Sequence, residues 1–335
     1  MTSDNQRPPA IEVEDLVKTY RNGVKALDGI SFRVAEGETF GLLGPNGAGK
    51  STTIKILTTL ARADSGIARV AGVDVGRDPE TVRRLIGVVS QRSGADPVAT
   101  GRENLLLQGR LYRVPAGSLR KRVDELLERF GLGDAADRKV RTYSGGMQRR
   151  LDVALGLVHG PRVLFLDEPT TGLDPEVRAA MWQEIERLAA EDGMTILLTT
   201  HYMDEADRLG DRLAIVDRGR VVATGTADDL KGELRGDGVD IELADPSQAE
   251  PARGVIVELP GMRDVAVDGR RVFARADSGA AAVPTALAAL ERSGIPVAAV
   301  SISRPSLEDV YLRYAGRRFA EADAGPELAT IGGSR

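Results

Sequence analysis

The sequence predicts an α/β domain built on a largely parallel sheet, followed by a small α+β domain. Three observations carry that reading. From Ile11 to about Leu230, apolar runs of strand length alternate with amphipathic helical stretches, the pattern of a sheet covered by helices. The strand runs are Thr39–Leu43, Leu85–Ser90, Val163–Asp167, Thr195–Thr200 and Arg212–Val216. After Lys231 the composition shifts towards Gly, Asp, Pro and Ala and the segments shorten, as they do past a domain boundary.

Taken in order, residues 1–10 are polar with a Pro-Pro pair and read as a loose tail. The main domain is placed at 11–235. Its opening runs, IEVEDLVKTY and ISFRV, alternate between turn residues and suggest an antiparallel β layer. Over about 92–160 the strand signal lapses, and a helical subdomain is expected. Thr100 with Glu103 forms a capping box at the start of one helix. Val123, Leu126, Leu127 and Phe130 recur at helical spacing, with Gly131 as the stop signal.

The second domain is placed at 236–315. Strands are expected at VDIEL (239–243), GVIVEL (254–259), RRVFAR (270–275) and, after an Ala-rich helix, IPVAAVSI (295–302). Ser306 and Asp309 form a second capping signature, opening LEDVYLRY. Residues 316–335 read as another loose tail.

Composition narrows the function classes. With 45 Lys+Arg against 50 Asp+Glu, the net charge of −5 gives no electrostatic reason to bind nucleic acid or anionic lipid. Zero cysteines exclude disulfides, thiolate zinc sites and cysteine nucleophiles. Two histidines, His159 and His201, leave little material for a histidine-based metal site. No apolar run is long enough to span a bilayer as a helix, and the N-terminus lacks the pattern of a secretory signal. The expectation is a cytoplasmic protein.

One motif carries specific chemistry. Gly44-Pro45-Asn46-Gly47-Ala48-Gly49-Lys50-Ser51 follows an apolar strand and opens a helix, the context of a phosphate-binding loop. Glycines let backbone N–H groups close around phosphate oxygens, and the helix N-terminus adds a favourable dipole. Lys50 would neutralise β/γ charge, the Ser51 hydroxyl would coordinate Mg²⁺, and Thr52 beside it belongs with the nucleotide-binding residues. Downstream, RVLFLDEP ends an apolar strand in Asp167 and Glu168. Asp167 is suited to hold Mg²⁺ through water, and Glu168 to act as general base on an attacking water.

With these motifs the chain resembles the nucleotide-binding subunit of an ATP-binding-cassette (ABC) transporter, over about Ile11 to Leu230. The resemblance implies a P-loop NTPase fold of ABC type, with an antiparallel β layer and a helical subdomain. Tyr143-Ser144-Gly145-Gly146-Met147 resembles the family's LSGGQ signature, with Met147 and Tyr143 departing from the usual residues. Gln91 matches the Q-loop glutamine, a further Mg²⁺ contact, and Thr171-Gly172-Leu173-Asp174 matches the D-loop. His201 matches the switch histidine, and Tyr20 stands where the family stacks an aromatic ring on adenine. Trp182 and His159 match no motif and read as structural.

The same resemblance implies ATP and Mg²⁺ as cofactors. It also implies a head-to-tail dimer, in which each copy presents Ser144, Gly145 and Gly146 to the other's γ-phosphate. In the family, the helical subdomain and the segment after the Q-loop glutamine dock a separate membrane permease. The implied location is therefore peripheral, on the cytoplasmic face of the membrane. YSGGMQRRLDVA and SLEDVYLRYAGR resemble the daunorubicin-resistance type of exporter ATPase. Export of a drug, antibiotic or other hydrophobic compound is the expected role, and the second domain is expected to stabilise the dimer. The alternatives are an importer ATPase and a non-transport ABC ATPase. A single phosphate loop argues against a translation factor of this family, and the short helical segment against a chromosome-maintenance ATPase.

Overall fold

The computed structural model describes residues 9–234, 236–316, 319 and 323. The expected tails lie outside these residues, except for Pro9, Ala10, Gly316, Phe319 and Asp323. The chain divides into two compact units, the smaller being Asp228–Gly316.

The larger unit opens with β1 (Pro9–Thr19) and β2 (Lys25–Ala35), an antiparallel pair with alternating burial. β3 (Thr39–Leu43) is buried at every position and leads through the glycine-rich loop into α1 (Lys50–Leu57). β4 (Ser65–Val70) and β5 (Val73–Asp74) return to the first layer and complete a four-stranded sheet, β2-β1-β4-β5. α2 (Pro79–Leu85) then feeds β6 (Ile86–Val89), which is shorter than the expected strand by a residue at each end.

Helices follow where the strand signal lapses: α3 (Gly101–Leu111), α4 (Ala116–Arg129) and α5 (Gly145–Leu157). Thr100 and Glu103 exchange both bonds of the capping box at the start of α3. Val123, Leu126, Leu127 and Phe130 are buried in one core, and Gly131 ends the stretch at φ 61°.

The chain returns to the sheet with β7 (Val163–Asp167), α6 (Pro175–Asp192), β8 (Thr195–Thr200), α7 (Met203–Leu209), β9 (Arg212–Asp217) and β10 (Arg220–Gly225). The six-stranded order is β10-β9-β3-β8-β7-β6, parallel except for β10. Leu43 pairs with Thr200, and Thr199 with Asp167, so three carboxyl ends come level. Ligands of open α/β sheets bind beyond such ends. Gly87 lets α5 approach β6, since a Cβ there would stand 2.3 Å from the Gly156 carbonyl oxygen.

The smaller unit begins at Asp228, upstream of the composition shift, within α8 (Ala227–Gly232). The reason is a tie that sequence spacing does not reveal. The Glu233 carbonyl accepts from Arg313 at 3.0 Å, and its carboxylate accepts from the Tyr314 hydroxyl. The remaining elements are β11 (Asp237–Leu243), α9 (Ala249–Val257), β12 (Met262–Asp268), β13 (Arg271–Ala276), α10 (Gly279–Arg292), β14 (Val297–Ser303) and α11 (Leu307–Ala315).

Their β-α-β-β-α-β succession forms an antiparallel sheet in the order β12-β13-β11-β14, a split β-α-β plait. One expectation is corrected here, and one strand was not foreseen. GVIVEL is not a strand: Ala249, Ala252 and Ile256 recur at helical spacing and face the core, making 249–257 a helix. The strand in its place is β12, MRDVAVD, whose charged residues hid it and whose register slips between Arg263 and Ala266. At the sheet's other edge, β14 reads VAAVSIS, uncharged and exposed from Ala298 to Ser303.

Candidate active site

The loop between β3 and α1 closes tightly because glycines permit it. Gly47 and Gly49 sit at φ 79° and 112°, the left-handed region. A Cβ on Gly49 would lie 2.7 Å from the Ala26 carbonyl oxygen, and one on Gly44 2.3 Å from that of Val216. Within the loop, the Asn46 N–H donates to the Asp323 carboxylate at 2.8 Å. An oxyanion is thus what this amide accepts as a partner, as a phosphate cradle requires. Pro45 and Ala48 complete the loop, and the Ala48 carbonyl accepts the Gly219 N–H at 2.8 Å.

Lys50 opens α1 and is only 4% exposed. Its ammonium donates to the carbonyls of Gly44 at 2.6 Å and Pro45 at 3.1 Å and stands 3.7 Å from the Glu168 carboxylate. Burial pushes its pKa below the ordinary lysine range, opposed by the carboxylates of Glu168, Asp323 and Asp167.

The two acids divide at the end of β7. Asp167 accepts from the Ser51 hydroxyl at 3.2 Å and from the Thr199 hydroxyl at 2.7 Å. Glu168 leaves the strand at φ 49°, rare for a non-glycine residue, and its carboxylate turns towards Lys50. Its N–H donates to the Thr199 carbonyl and hydroxyl, both at 3.1 Å, and its carboxylate accepts from Thr171 at 3.2 Å. His201 Nδ1 lies 3.4 Å from the same carboxylate, buried and without a hydrogen-bond partner.

The other residues singled out from sequence stand around this centre in different ways. The Tyr20 hydroxyl reaches Thr52 Oγ1 at 3.4 Å, on the first turn of α1. Gln91 is exposed beyond the end of β6, and among the described residues no hydrogen bond ties it to Ser51 or Asp167. Ser144 caps α5 by accepting the Met147 N–H at 3.3 Å, with Ser144 and Gly145 open to solvent. Gly146 is packed, since a Cβ there would fall 2.7 Å from Val177. Asp174 caps α6, accepting the Val177 N–H at 2.9 Å. Met147 and Tyr143 leave this cap intact; the Tyr143 hydroxyl donates to the Ala135 carbonyl at 2.7 Å.

Sequence reading missed two contributors. The Thr199 hydroxyl donates to the Asp167 carboxylate and accepts the Glu168 N–H, and the signal was a hydroxyl within a wholly buried strand. Arg149 is buried and donates to the carbonyls of Ser90, Pro169 and Glu168, joining α5 to the ends of β6 and β7. Its signal was a charge on the apolar face of a helix. Trp182 packs on the core, and His159 is structural. The His159 Nε2–H donates to the Ile86 carbonyl at 2.9 Å, and its ring stacks on Tyr112.

An ammonium, a carboxylate and an imidazole therefore converge beside an oxyanion cradle, an arrangement suited to hydrolysis of a phosphate anhydride. Among the described residues no three His, Asp or Glu side chains form a metal cage. Ser51 and Asp167 instead offer the sparse hard-oxygen set that Mg²⁺ takes together with waters and phosphates.

Comparison with known proteins agrees. Residues 27–171 match the family described as ABC transporter, and 225–315 match the C-terminal domain of ATP-binding proteins like DrrA1-3. The daunorubicin/doxorubicin resistance ATP-binding protein DrrA of Streptomyces peucetius is 47% identical, covering 93% of this chain and 94% of its own. The Nod factor export ATP-binding protein I of Ralstonia nicotianae is 40% identical, covering 93% and 96%. Among solved structures, a dimeric ATP-binding cassette in a post-hydrolysis state with ADP and Pi superposes with a TM-score of 0.59 at 29% identity. It covers 64% of this chain and 98% of that one.

Proposed function

Because the chain belongs to the ATP-binding subunits of ABC transporters, in the daunorubicin/doxorubicin-resistance group, we propose that it hydrolyses ATP to drive a separate permease exporting a drug or other hydrophobic compound. The observation that carries this reading is the convergence of Lys50, Glu168 and His201 beside the loop of residues 44–51.

The phosphates of ATP bind the N–H groups of Asn46 to Thr52, and Lys50 neutralises β/γ charge. Tyr20, next to Thr52, stacks on the adenine. Ser51 and Asp167, together with Gln91, would hold Mg²⁺, which when bound would supply neutralising charge on the phosphates. The Glu168 carboxylate takes a proton from water as its oxygen attacks the γ-phosphorus, and the bond to the ADP oxygen breaks, leaving ADP and phosphate. His201 bridges Glu168 and the γ-phosphate, orienting both.

A second copy completes each site. The exposed Ser144 and Gly145, with Gly146 and the N-terminus of α5, form an anion site facing the other copy's γ-phosphate. Asp174, which caps α6, is assigned to the same interface in this reading. Both sites keep Glu168 and are competent. No helix among the described residues is long and apolar enough to cross a membrane. On α3, Leu107 and Leu111 are 54% and 69% exposed and share one helix face, suiting an apolar partner such as a permease on the cytoplasmic side of the membrane. The dimer closes when it binds ATP and opens after hydrolysis, and this cycle moves the permease.

The test compares wild type with Glu168→Gln, measuring ATP binding, turnover and dimer state. Turnover by wild type, with Glu168→Gln binding ATP but stalling as a dimer, is the expected result. Normal hydrolysis by Glu168→Gln overturns the general-base assignment. Failure of both proteins to bind ATP overturns the whole reading.

A further inference from the structure

Behind the site, Glu205 on α7 is wholly buried, shortly after His201. Its Oε1 accepts the Thr170 hydroxyl at 2.7 Å and the Trp182 indole N–H at 3.0 Å. Its Oε2 is out of solvent with no hydrogen-bond partner. A carboxylate in such a place is costly, and an apolar side chain would fill the same volume without the desolvation.

What Glu205 grips explains its presence. Thr170 belongs to the turn that begins with Glu168 at φ 49°, a conformation a non-glycine residue keeps only when its surroundings hold it. Arg149 holds that turn from α5, donating to the carbonyls of Pro169 at 2.6 Å and Glu168 at 3.4 Å. Glu205 holds it from the opposite chain direction through the Thr170 side chain, and is in turn fixed to α6 by Trp182. The same short helix therefore carries the continuation of His201 and the acceptor that anchors the residue two places after Glu168.

We propose that Glu205 is a positioning residue for ATP hydrolysis: by fixing Thr170 to α6 and α7 it holds the Glu168 carboxylate beside Lys50 and His201. Glu205 is wholly buried and acts through Thr170. The inference rests on Glu168 being the general base. It predicts a loss in the chemical step with nucleotide binding spared, because the phosphate loop is anchored independently through Gly44 and Gly49.

The test uses the full-length chain and reads ATP affinity, KM and kcat for Glu205→Leu, Glu205→Gln, Thr170→Val and the Leu/Val double variant, with Glu168→Gln alongside. Glu205→Leu should lower kcat by about tenfold or more while ATP affinity and KM stay within about threefold. Glu205→Gln keeps an oxygen for Thr170 and Trp182 and should restore most of that loss. The double variant should be no slower than Glu205→Leu, since both remove one link. Unchanged kcat in Glu205→Leu, or a parallel loss of affinity, overturns the proposal. If Glu205→Leu does not fold, Thr170→Val decides: unchanged kcat overturns the proposal and a lowered kcat at constant affinity supports it. Undiminished turnover in Glu168→Gln would instead strike at the general-base reading, a separate failure.

Discussion

Nζ of Lys50 lies 3.7 Å from Oε1 of Glu168, with both side chains almost entirely out of solvent. Among the carboxylates around Lys50, Glu168 is the one that most favours its charged form. Lys50→Met should abolish measurable ATP binding and, by leaving a buried carboxylate unpaired, lower stability by up to about 3 kcal/mol. Glu168→Gln should keep ATP affinity and lose about 10²–10⁴-fold in turnover. Equilibrium ATP binding and thermal unfolding of the two variants separate these effects. Loss of ATP binding in Glu168→Gln would contradict the division of roles.

Asp323 occupies the Asn46 N–H that the proposed phosphate contact would use, and one donor serves one oxyanion at a time. Asp323→Asn, or removal of residues 317–335, should tighten ATP binding by about two- to tenfold, the worth of one charge-assisted hydrogen bond. A fluorescent ATP analogue titrated into each protein reads the change. Equal affinities would mean the carboxylate yields without cost.

His159 should make stability fall on the acidic side of neutrality. Burial lowers its pKa below the ordinary 6.5, and Nδ1 is buried with no acceptor for a second proton. The unfolded chain then binds the proton more readily. Stability is complete above pH 6.5 and declines below it, by at most about 1.4 kcal/mol per pH unit, until the folded-state pKa is passed. His159→Gln should flatten this difference in denaturant unfolding between about pH 7 and about pH 5.5. An identical pH slope in both proteins would refute it.

Two glycines should respond in opposite directions. Gly87→Ala pushes a methyl to 2.3 Å from the Gly156 carbonyl oxygen and should cost about 1–3 kcal/mol by forcing α5 off β6. Gly117→Ala, in α4 with nothing within 4 Å, should stabilise by about 0.5–1 kcal/mol. Thermal unfolding of the pair measures both. Equal shifts would remove the packing argument.

The sheet was legible in sequence because buried parallel strands read as unbroken apolar runs, as in Thr195–Thr200, where every residue is buried. Thr100 and Gly131 were legible because caps and stops act locally. α9 was misread because only its last residues, GVIV, look strand-like, while its buried face begins earlier at Ala249. The phosphate loop and both acids stood out because their chemistry demands particular residues at short spacing. The contacts Thr199–Asp167, Asp323–Asn46 and Glu205–Thr170 each join segments far apart in the chain, and no spacing rule reaches across such gaps.

Strand β14 has a practical consequence for anyone producing the protein. Its outer backbone groups form a ready template, and VAAVSIS carries neither lysine nor proline to deter a second strand. At high concentration, edge-to-edge stacking of this strand is the first route to insoluble material. A lysine at Ser301, exposed in the middle of the strand, is the smallest change that should keep preparations clear while leaving the sheet's buried face untouched.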